Sequence, residues 1–449
     1  MIFDENICAE HLSGMLKYKT VSDKNMDHMD FGEFDRFHEY LEKTYPLVHQ
    51  HLKREIIGKA GLLYTWKGSG KSRNLPVMLI AHQDVVPAGD EKRWTYPPYE
   101  GRIDKNRVWG RGANDCKGVM MAHLEAAEAL LREGFVPDYD IYLGYGYTEE
   151  VAGPGAAEIC ETLRNRGVRI GLLIDEGSGV CQGYREGLNR DFVYIKLNEK
   201  GSAGFKIVVH GKGGHTMNAG GRSIIAVAGQ IANDLQNNPL PWKVIDCVEE
   251  EYKMKAPYFK ENGSLFENPK ENIEQIRTLL EKKPRESAKF TTSMSILSIH
   301  SYPEAGSMPT EVELKVSFRV LPGDTAEDLQ KYLEKIVAGR GDVIKIYGED
   351  PSPTSRSDSG SYHLVKDTYE KLYPGVLVIP CIGIGGTDAR NYYSISDCIY
   401  RCTGFPYSAD GISVNLHNFD ENMFVPDLNK GPQFFYELLT NYADYDNVQ

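Results

Sequence analysis

The sequence lacks paired cysteines. Its eight cysteines are spread singly over 449 residues, and none forms a Cys-x-x-Cys motif. A chain of this length does not depend on disulfides, so single cysteines are typical of reduced thiols in the cytosol. The N-terminus also shows no basic leader followed by an apolar stretch and a small-residue cleavage site, so we expect no export signal. Both absences predict a cytoplasmic protein.

A long apolar run and an excess of positive charge are also absent. No run approaches the ~20 residues that a membrane-spanning helix needs, which argues against a membrane role. The formal net charge of -13 argues against nucleic-acid binding, because proteins that bind nucleic acids normally present a basic face. The composition is that of an ordinary globular protein, with 41% hydrophobic and 26% charged residues. The length favours two or three domains.

Apolar runs of strand length alternate with helical patterns in the first part of the chain. Strand-like runs lie at 76–82, 139–147 and 169–177. Between the first two, apolar residues from Met120 to Leu131 recur at helical spacing. Strand–helix–strand units of this kind predict an α/β domain with a mixed, largely parallel sheet.

The pattern changes near residue 200, where amphipathic strands begin to alternate with helices, and buried-strand runs return after residue 350. We therefore predict one α/β domain over 1–199 and 350–449, interrupted by an inserted α+β domain over 200–349. Within the insertion, the segment 240–290 is rich in lysine and glutamate and has a helical character, but the sequence does not place it further.

Acids and histidines follow several predicted strands or lie in glycine-rich turns. The stretches are "AHQDVVP" with His82 and Asp84, "WGRGANDCKG" with Asp115, "YGYTEEVAG" with Glu149 and Glu150, "LLIDEGSG" with Asp175 and Glu176, and "NLHNFDENM" with His417. Each alone also fits a structural role, as a hydrogen-bonded pair, a helix cap or an exposed turn. Together, imidazoles and carboxylates at strand ends suit zinc, cobalt or manganese. The number of carboxylates suits two metals that share one of them.

These motifs, with "GKGGHT", "RVLPG" and "GGTDAR", occur in the order and at about the spacing of one family. From about residue 30 to 430 the chain resembles the di-zinc metallopeptidases that include glutamate carboxypeptidase, aminoacylase, acetylornithine deacetylase and succinyl-diaminopimelate desuccinylase. The segments "FHEYLEKTYPLVH", "HQDVVP" and "IDEG" are most similar to the branch of carboxypeptidase S and the N-acyl-amino-acid hydrolases.

The resemblance implies roles for most of these residues, though not for Glu176. Two Zn²⁺ ions, or Co²⁺ or Mn²⁺, would share Asp115 as the bridging ligand. The remaining metal ligands would be His82 and Asp175 on one ion, and Glu150 and His417 on the other. The catalytic residues would be Glu149 as the general base, Asp84 as the acid that orients His82, and His215, which polarises the scissile carbonyl. The residues that hold the substrate carboxylate would be Arg319, Gly386 and Thr387.

The resemblance further implies a hydrolase that cleaves the amide bond of small peptides or N-acyl amino acids with a free carboxylate. Carboxypeptidase, dipeptidase and deacylase activities are not separated by the sequence. Two alternatives stay open: an aminopeptidase of the same family, and a metal-stabilised binding protein without turnover. The inserted domain would be a lid that in this family often mediates dimerisation, so a homodimer is an option. The stretch "GSMPTEVE" lacks the asparagine that usually precedes the arginine strand, which leaves one substrate contact open.

Overall fold

The computed structural model describes residues 3–218, 220–303, 305–407 and 414–447. The chain forms two compact units. The first comprises Met1–Leu197, Ser355–Pro380 and Thr387–Gln449, and the second comprises Asn198–Thr354 and Cys381–Gly386. The second unit thus overlaps the predicted insertion at 200–349 and also takes a short segment from beyond it, whose Gly383 carbonyl oxygen accepts a hydrogen bond from the Lys200 N–H.

The strands of the described residues are β1 (Lys53–Ile57), β2 (Gly61–Trp66), β3 (Val77–His82), β4 (Arg102–Asp104), β5 (Arg107–Trp109), β6 (Ile141–Gly146), β7 (Leu172–Cys181), β8 (Phe192–Glu199), β9 (Gly201–His210), β10 (Ser293–His300), β11 (Glu311–Val320), β12 (Asp342–Glu349), β13 (Leu377–Gly383), β14 (Ile399–Pro406) and β15 (Asn422–Phe424).

The α-helices are α1 (Glu5–Met15), α2 (Phe31–Thr44), α3 (Pro46–His51), α4 (Gly118–Arg132), α5 (Gly155–Asn165), α6 (Ile224–Asn237), α7 (Asp246–Lys255), α8 (Ile273–Leu280), α9 (Pro284–Ser287), α10 (Ala326–Val337), α11 (Gly360–Leu372) and α12 (Lys430–Asn441).

The first unit is built on an eight-stranded mixed sheet in the order β1-β2-β6-β3-β7-β14-β8-β13. Strands β6, β3, β7 and β14 are parallel to their neighbours within that group, and β1 and β2 add antiparallel pairs at one edge. Parallel strands are normally covered on both faces and therefore read as continuous apolar runs, which is the pattern of "PVMLIAH". The predicted fold class, an α/β domain with a mixed, largely parallel sheet, is confirmed.

Helices cover both faces of this sheet. Along β3, Val77 and Leu79 pack into a core shared with α4 and α12, whereas Met78 and Ile80 pack against α5 on the other face. All six residues of β3 are buried. This alternation is the period-two geometry of a strand with helices on both sides, and it leaves the carboxyl ends of the strands free to carry polar groups.

The second unit contains a four-stranded antiparallel sheet in the order β10-β11-β9-β12. One face of this sheet packs on α6 and α10, where Phe205 and Phe318 meet Ile231 and Leu333. The segment 240–290 contributes α7, α8 and α9 around an aromatic core, and within that core the buried Glu251 carboxylate accepts a hydrogen bond from Lys289 at 2.6 Å. The helices of this segment are therefore part of the packed second unit.

No helix in the described ranges combines the length and the apolarity that crossing a bilayer would require.

A buried histidine lies in the core between the large sheet, α4 and α12. His123 on α4 is fully buried, and within the described residues neither ring nitrogen has a hydrogen-bond partner. Its ring stacks on Tyr145 and meets the edge of Phe435 at a centroid distance of 4.2 Å. Burial lowers the pKa of His123 from 6.5 to about 3, so the folded protein keeps this imidazole neutral.

We expect His123 to make stability depend on pH. Between pH 6.5 and about 3, His123 binds a proton in the unfolded chain but not in the folded chain. The free energy of unfolding therefore falls as the pH falls. The loss should approach about 1.4 kcal/mol per pH unit below 6.5. Urea unfolding of wild type and His123→Leu at pH 7.5 and pH 5.5 measures it. The variant should lose less stability between these two pH values, and equal losses would contradict this assignment.

Candidate metal centre

Three parallel strands bring the sequence motifs to one edge of the large sheet. β3 pairs with both β6 and β7, and His82 at the end of β3 lies beside Gly146 at the end of β6. The chain leaving β6 carries Glu149 and Glu150, and β7 carries Glu176. Carboxyl ends of parallel strands are where open α/β sheets place their ligand sites, because the loops that follow the strands meet there.

Asp115 lies between two histidines. Its Oδ1 is 3.0 Å from His82 Nε2, and its Oδ2 is 3.1 Å from His417 Nε2. His417 Nε2 also lies 2.9 Å from Glu150 Oε2, and His82 Nε2 lies 3.4 Å from Glu176 Oε1. Since each oxygen of Asp115 faces a different imidazole, this carboxylate has the arrangement of a ligand shared by two metals.

Asp84 fixes the loop that carries the paired glutamates. Its buried carboxylate accepts the Glu149 N–H at Oδ1 over 3.1 Å and the Glu150 N–H at Oδ2 over 3.2 Å. Its contact with His82 differs from the prediction: the ring Nδ1 bonds to the Asp84 carbonyl oxygen at 2.9 Å and lies 3.6 Å from the carboxylate. Nδ1 therefore carries the proton of a neutral His82 ring, and the unprotonated Nε2, which can bind a metal, lies on the side of Asp115.

Glu176, not Asp175, faces His82. Both Asp175 oxygens accept backbone N–H groups, from Glu176 at 2.8 Å and from Ala389 at 2.9 Å. The register of β7 and β14 explains the difference, because Arg401 pairs with Asp175 and the next residue, Cys402, pairs with Ser178. Glu176 therefore lies in a bulge, and bulges change the direction of side chains near functional sites.

The donor set fits divalent cations. In the described part of the chain, His82, Asp115 and Glu150 offer ligand atoms within 4.8 Å of one another, and so do His82, Cys116 and Glu176. The Glu150 Oε1 atom is buried and has no hydrogen-bond partner within those residues. Imidazole and carboxylate donors suit zinc, cobalt or manganese, and an orphaned carboxylate oxygen is costly unless a cation or a donor meets it.

The acids of the cluster outnumber its cations. Burial raises the pKa of Glu149 to about 10 and that of Glu176 to about 8. The pKa of His417 rises to about 10, chiefly through its hydrogen bonds to Asp115 and Glu150. Two imidazoles alone therefore do not keep all of these carboxylates ionised, whereas dications in the cluster would add the missing positive charge.

The four residues predicted to bind the substrate are divided between the two units. In the second unit, His215 is exposed and its Nδ1 accepts the Met217 N–H at 3.1 Å. Arg319 is exposed on β11, and Gly386 is exposed at the end of the segment that follows β13. In the first unit, the Thr387 side chain accepts the Ala389 N–H and caps a short helical turn. Their roles in substrate binding stay predictions.

Two acids that contact the cluster had no assigned role in the sequence. These acids are Glu176 and Glu421. For Glu176, the glycine that follows it could have indicated the bulge, since glycine inside a strand often marks one. A Cβ atom on Gly177 would lie 2.4 Å from the Arg401 backbone carbon, so the bulge needs glycine. Glu421, in the stretch "NLHNFDENM", accepts backbone N–H groups of the Asp115 turn. Its sequence position gave no indication of that contact.

Related proteins match this sequence along most of its length. The model of peptidase family M20/M25/M40 matches residues 78–441. "Probable carboxypeptidase S-like 2" of Dictyostelium discoideum is 32% identical, covering 97% of this chain and 85% of that protein. Carboxypeptidase S of Saccharomyces cerevisiae is 29% identical over 98% of this chain and 85% of its own length. The mouse N-fatty-acyl-amino acid synthase/hydrolase is 28% identical over 97% and 88%.

Solved structures share the fold. An M20 family metallo-carboxypeptidase from Sulfolobus solfataricus superposes with a TM-score of 0.71 at 19% identity, covering 96% of this chain and 98% of that one. A dinuclear metal binding peptidase from Bacillus subtilis gives a TM-score of 0.60 at 14% identity, covering 98% and 100%. The resemblance drawn from the motifs is confirmed, and with it the enzyme class: the chain belongs to peptidase family M20/M25/M40.

Proposed function

We propose that this protein is a two-metal hydrolase that cleaves the amide bond of small peptides or N-acyl amino acids carrying a free carboxylate. The observation that carries the proposal is the Asp115 carboxylate, whose two oxygens face His82 and His417 at 3.0 and 3.1 Å. A shared carboxylate between two imidazoles is the centre of a binuclear hydrolytic site. Zinc is the metal we favour, and cobalt or manganese would accept the same donors.

The proposed ligands are Asp115 for both ions, His82 and Glu176 for one, and Glu150 and His417 for the other. Glu176 replaces Asp175 in this set because the Asp175 carboxylate is already bonded to two backbone N–H groups. Cys116 stays outside the set: its sulfur accepts the His82 backbone N–H at 3.1 Å, and burial raises the pKa of its thiol.

Glu149 is the proposed general base. Held by these ligands, two dications would lower the pKa of a water at the site and polarise the scissile carbonyl. The Glu149 carboxylate takes the proton of the attacking water and delivers it to the nitrogen of the leaving amine. Asp84 holds Glu149 in place through its backbone N–H, so the base and the ligand Glu150 are fixed by the same carboxylate.

Recognition of a free carboxylate is supported by Arg319. Among the residues that the structure describes, this exposed guanidinium has no acidic partner. Burial lowers the pKa of Lys200 to about 8, and the nearby positive charge of Arg319 adds to that effect. An unpaired arginine suits bidentate binding of a carboxylate. The relatives named carboxypeptidase S and N-fatty-acyl-amino acid synthase/hydrolase point to the same substrate feature, an amino acid with a free carboxylate.

An aminopeptidase and a binding protein without turnover remain the rival functions. The aminopeptidase would hold the substrate amine, and the binding protein would keep its metals while cleaving nothing. A cytoplasmic location stays part of the proposal, supported by eight free cysteines. Dimerisation through the inserted domain also stays a prediction, which sedimentation of the purified protein tests directly.

Replacing the base should abolish turnover without removing the metals. In Glu149→Gln we expect kcat to fall about 100- to 10,000-fold, because general base catalysis is lost, while KM and metal content stay near wild type. Steady-state kinetics at equal, measured metal content checks this. Glu161→Gln, at an exposed acid on α5, is the control. Full activity in Glu149→Gln would remove Glu149 from the mechanism.

The choice between Glu176 and Asp175 is tested by metal titration. We expect Glu176→Gln to weaken binding of one ion by at least tenfold, since it removes a charged ligand. Asp175→Asn should lower the melting temperature while keeping two ions, because Asp175 holds backbone N–H groups. Isothermal titration with Zn²⁺ and metal analysis distinguish the two variants. The opposite pattern would return the ligand role to Asp175.

A matched substrate panel tests carboxylate recognition. We expect hydrolysis of dipeptides or N-acyl amino acids, with kcat/KM falling at least 100-fold when the C-terminal carboxylate is amidated, because Arg319 is then left without its partner. In Arg319→Met, kcat/KM should fall by about the same factor for substrates with a free carboxylate, and it should change little for the amidated substrates. Preference for amidated substrates would favour the aminopeptidase, and no cleavage by a protein that binds two metals would favour the binding protein.

A further inference from the structure

Glu421 is a buried acid whose carboxylate meets four donors. Its Oε1 accepts the backbone N–H groups of Asn114 at 2.9 Å and Asp115 at 3.1 Å. Its Oε2 accepts the Gly112 N–H at 2.9 Å and Arg111 Nη1 at 2.8 Å. The side chain is fully buried. One carboxylate therefore holds the whole turn from residue 111 to 115, at the end of which Asp115 projects.

The same residue belongs to the loop that carries His417. That loop contains three residues with left-handed backbone, Asn415, His417 and Asp420, at φ values of 56°, 54° and 60°. Its far end is anchored, because the Asp420 carboxylate accepts the Thr95 N–H at 2.6 Å and the Thr95 hydroxyl at 2.8 Å. The Glu421 carbonyl oxygen also accepts the Gly110 N–H at 2.9 Å. Side chain and main chain of Glu421 thus join the His417 loop to the Asp115 turn.

The Glu421 carboxylate forms an ion pair with the Arg111 guanidinium. Arg111 and Glu421 are 3% and 0% exposed, so their ion pair is dry. A buried ion pair of this kind is costly to break, since either partner would be left as an uncompensated charge. A carboxylate is also the one side chain of this size that accepts four hydrogen bonds at once. Glutamine at this position would offer two donors where the turn presents N–H groups.

We infer that Glu421 is a positioning residue that sets the Asp115 carboxylate between His82 and His417 before any metal binds. The inference rests on the metal ligands assigned in the proposed function and not on turnover. Residues that orient metal ligands typically change metal affinity 10- to 100-fold when replaced. A merely structural role would lower stability without changing the affinity of the folded protein for metal.

Glu128 provides a matched control. Its carboxylate, 5% exposed on α4, accepts the backbone N–H groups of Leu47 and Val48 at 3.1 and 2.9 Å. Glu128→Gln therefore disrupts a buried acid that holds backbone N–H groups and contacts none of the proposed ligands. Glu421→Gln and Glu421→Asp alter charge and length separately at the test position, and either variant alone tests the inference if the other does not fold.

The experiment measures Co²⁺ affinity and the visible absorption of bound Co²⁺ in the full-length protein, beside the melting temperature of the metal-free form. We expect all variants to lose stability, but only the Glu421 variants to lose 10- to 100-fold in Co²⁺ affinity and to change the absorption bands. Equal affinity and equal bands in Glu421→Gln and Glu128→Gln would overturn the inference. Failure of wild type to hydrolyse substrate, with two ions bound, would overturn the proposed function and leave this inference standing.

Hydrogen exchange of metal-free wild type gives a test without any variant. If Glu421 forms the turn in advance, the amides of Asn114 and Asp115 should be protected in the metal-free protein nearly as well as in the Zn²⁺-loaded protein. Free exchange in the metal-free protein, with protection appearing only after Zn²⁺ is added, would mean that metal forms the turn, and would overturn the inference.

Discussion

The position of one carboxylate, that of Asp115 between His82 and His417, is the constraint on which the rest of the site depends. Each oxygen lies about one hydrogen-bond length from a different imidazole, at 3.0 and 3.1 Å. The three residues come from the end of a strand, from a glycine turn before a helix, and from a loop more than 300 positions later in the chain. The edge of the sheet and its anchored loops bring these groups, distant in the sequence, within hydrogen-bond distance of one another.

Buried acids that accept backbone N–H groups supply this anchoring. Asp84 holds the loop of Glu149 and Glu150, Glu421 holds the Asp115 turn, and Asp175 holds Glu176 and Ala389. The oxygens of each of these carboxylates accept backbone N–H groups, and the side chain of a residue in the segment that they hold faces the cluster. The cluster is thus built from neighbouring acids, of which one is bonded to backbone N–H groups and another faces the imidazoles.

Asp175 and Glu176 are adjacent acids with these two different roles, and the sequence prediction chose Asp175 as the one that faces His82. In a regular strand Asp175 would share a face with His82, because Ile174 pairs with Leu79 and side chains alternate. The bulge at Glu176 and Gly177 breaks that alternation and turns Glu176 toward His82. Bulges depend on the pairing of β7 with β14, which lies more than 200 residues later in the chain. Local sequence therefore could not decide between the two acids.

The sequence by itself determined the fold class, the edge of the sheet that carries the site, and most of the cluster. Apolar runs indicate buried parallel strands, and polar residues directly after them lie at the carboxyl ends, so His82, Glu149 and Glu150 could be placed there in advance. Asp115 lies in a glycine-rich turn before a helix, and the family resemblance singled it out. Tertiary structure alone decided that Glu176 faces His82, that the Asp84 carbonyl oxygen rather than its carboxylate meets His82, and that Glu421 supports Asp115. These contacts join segments distant in sequence, and their distances depend on strand register and loop anchoring, which no local pattern encodes.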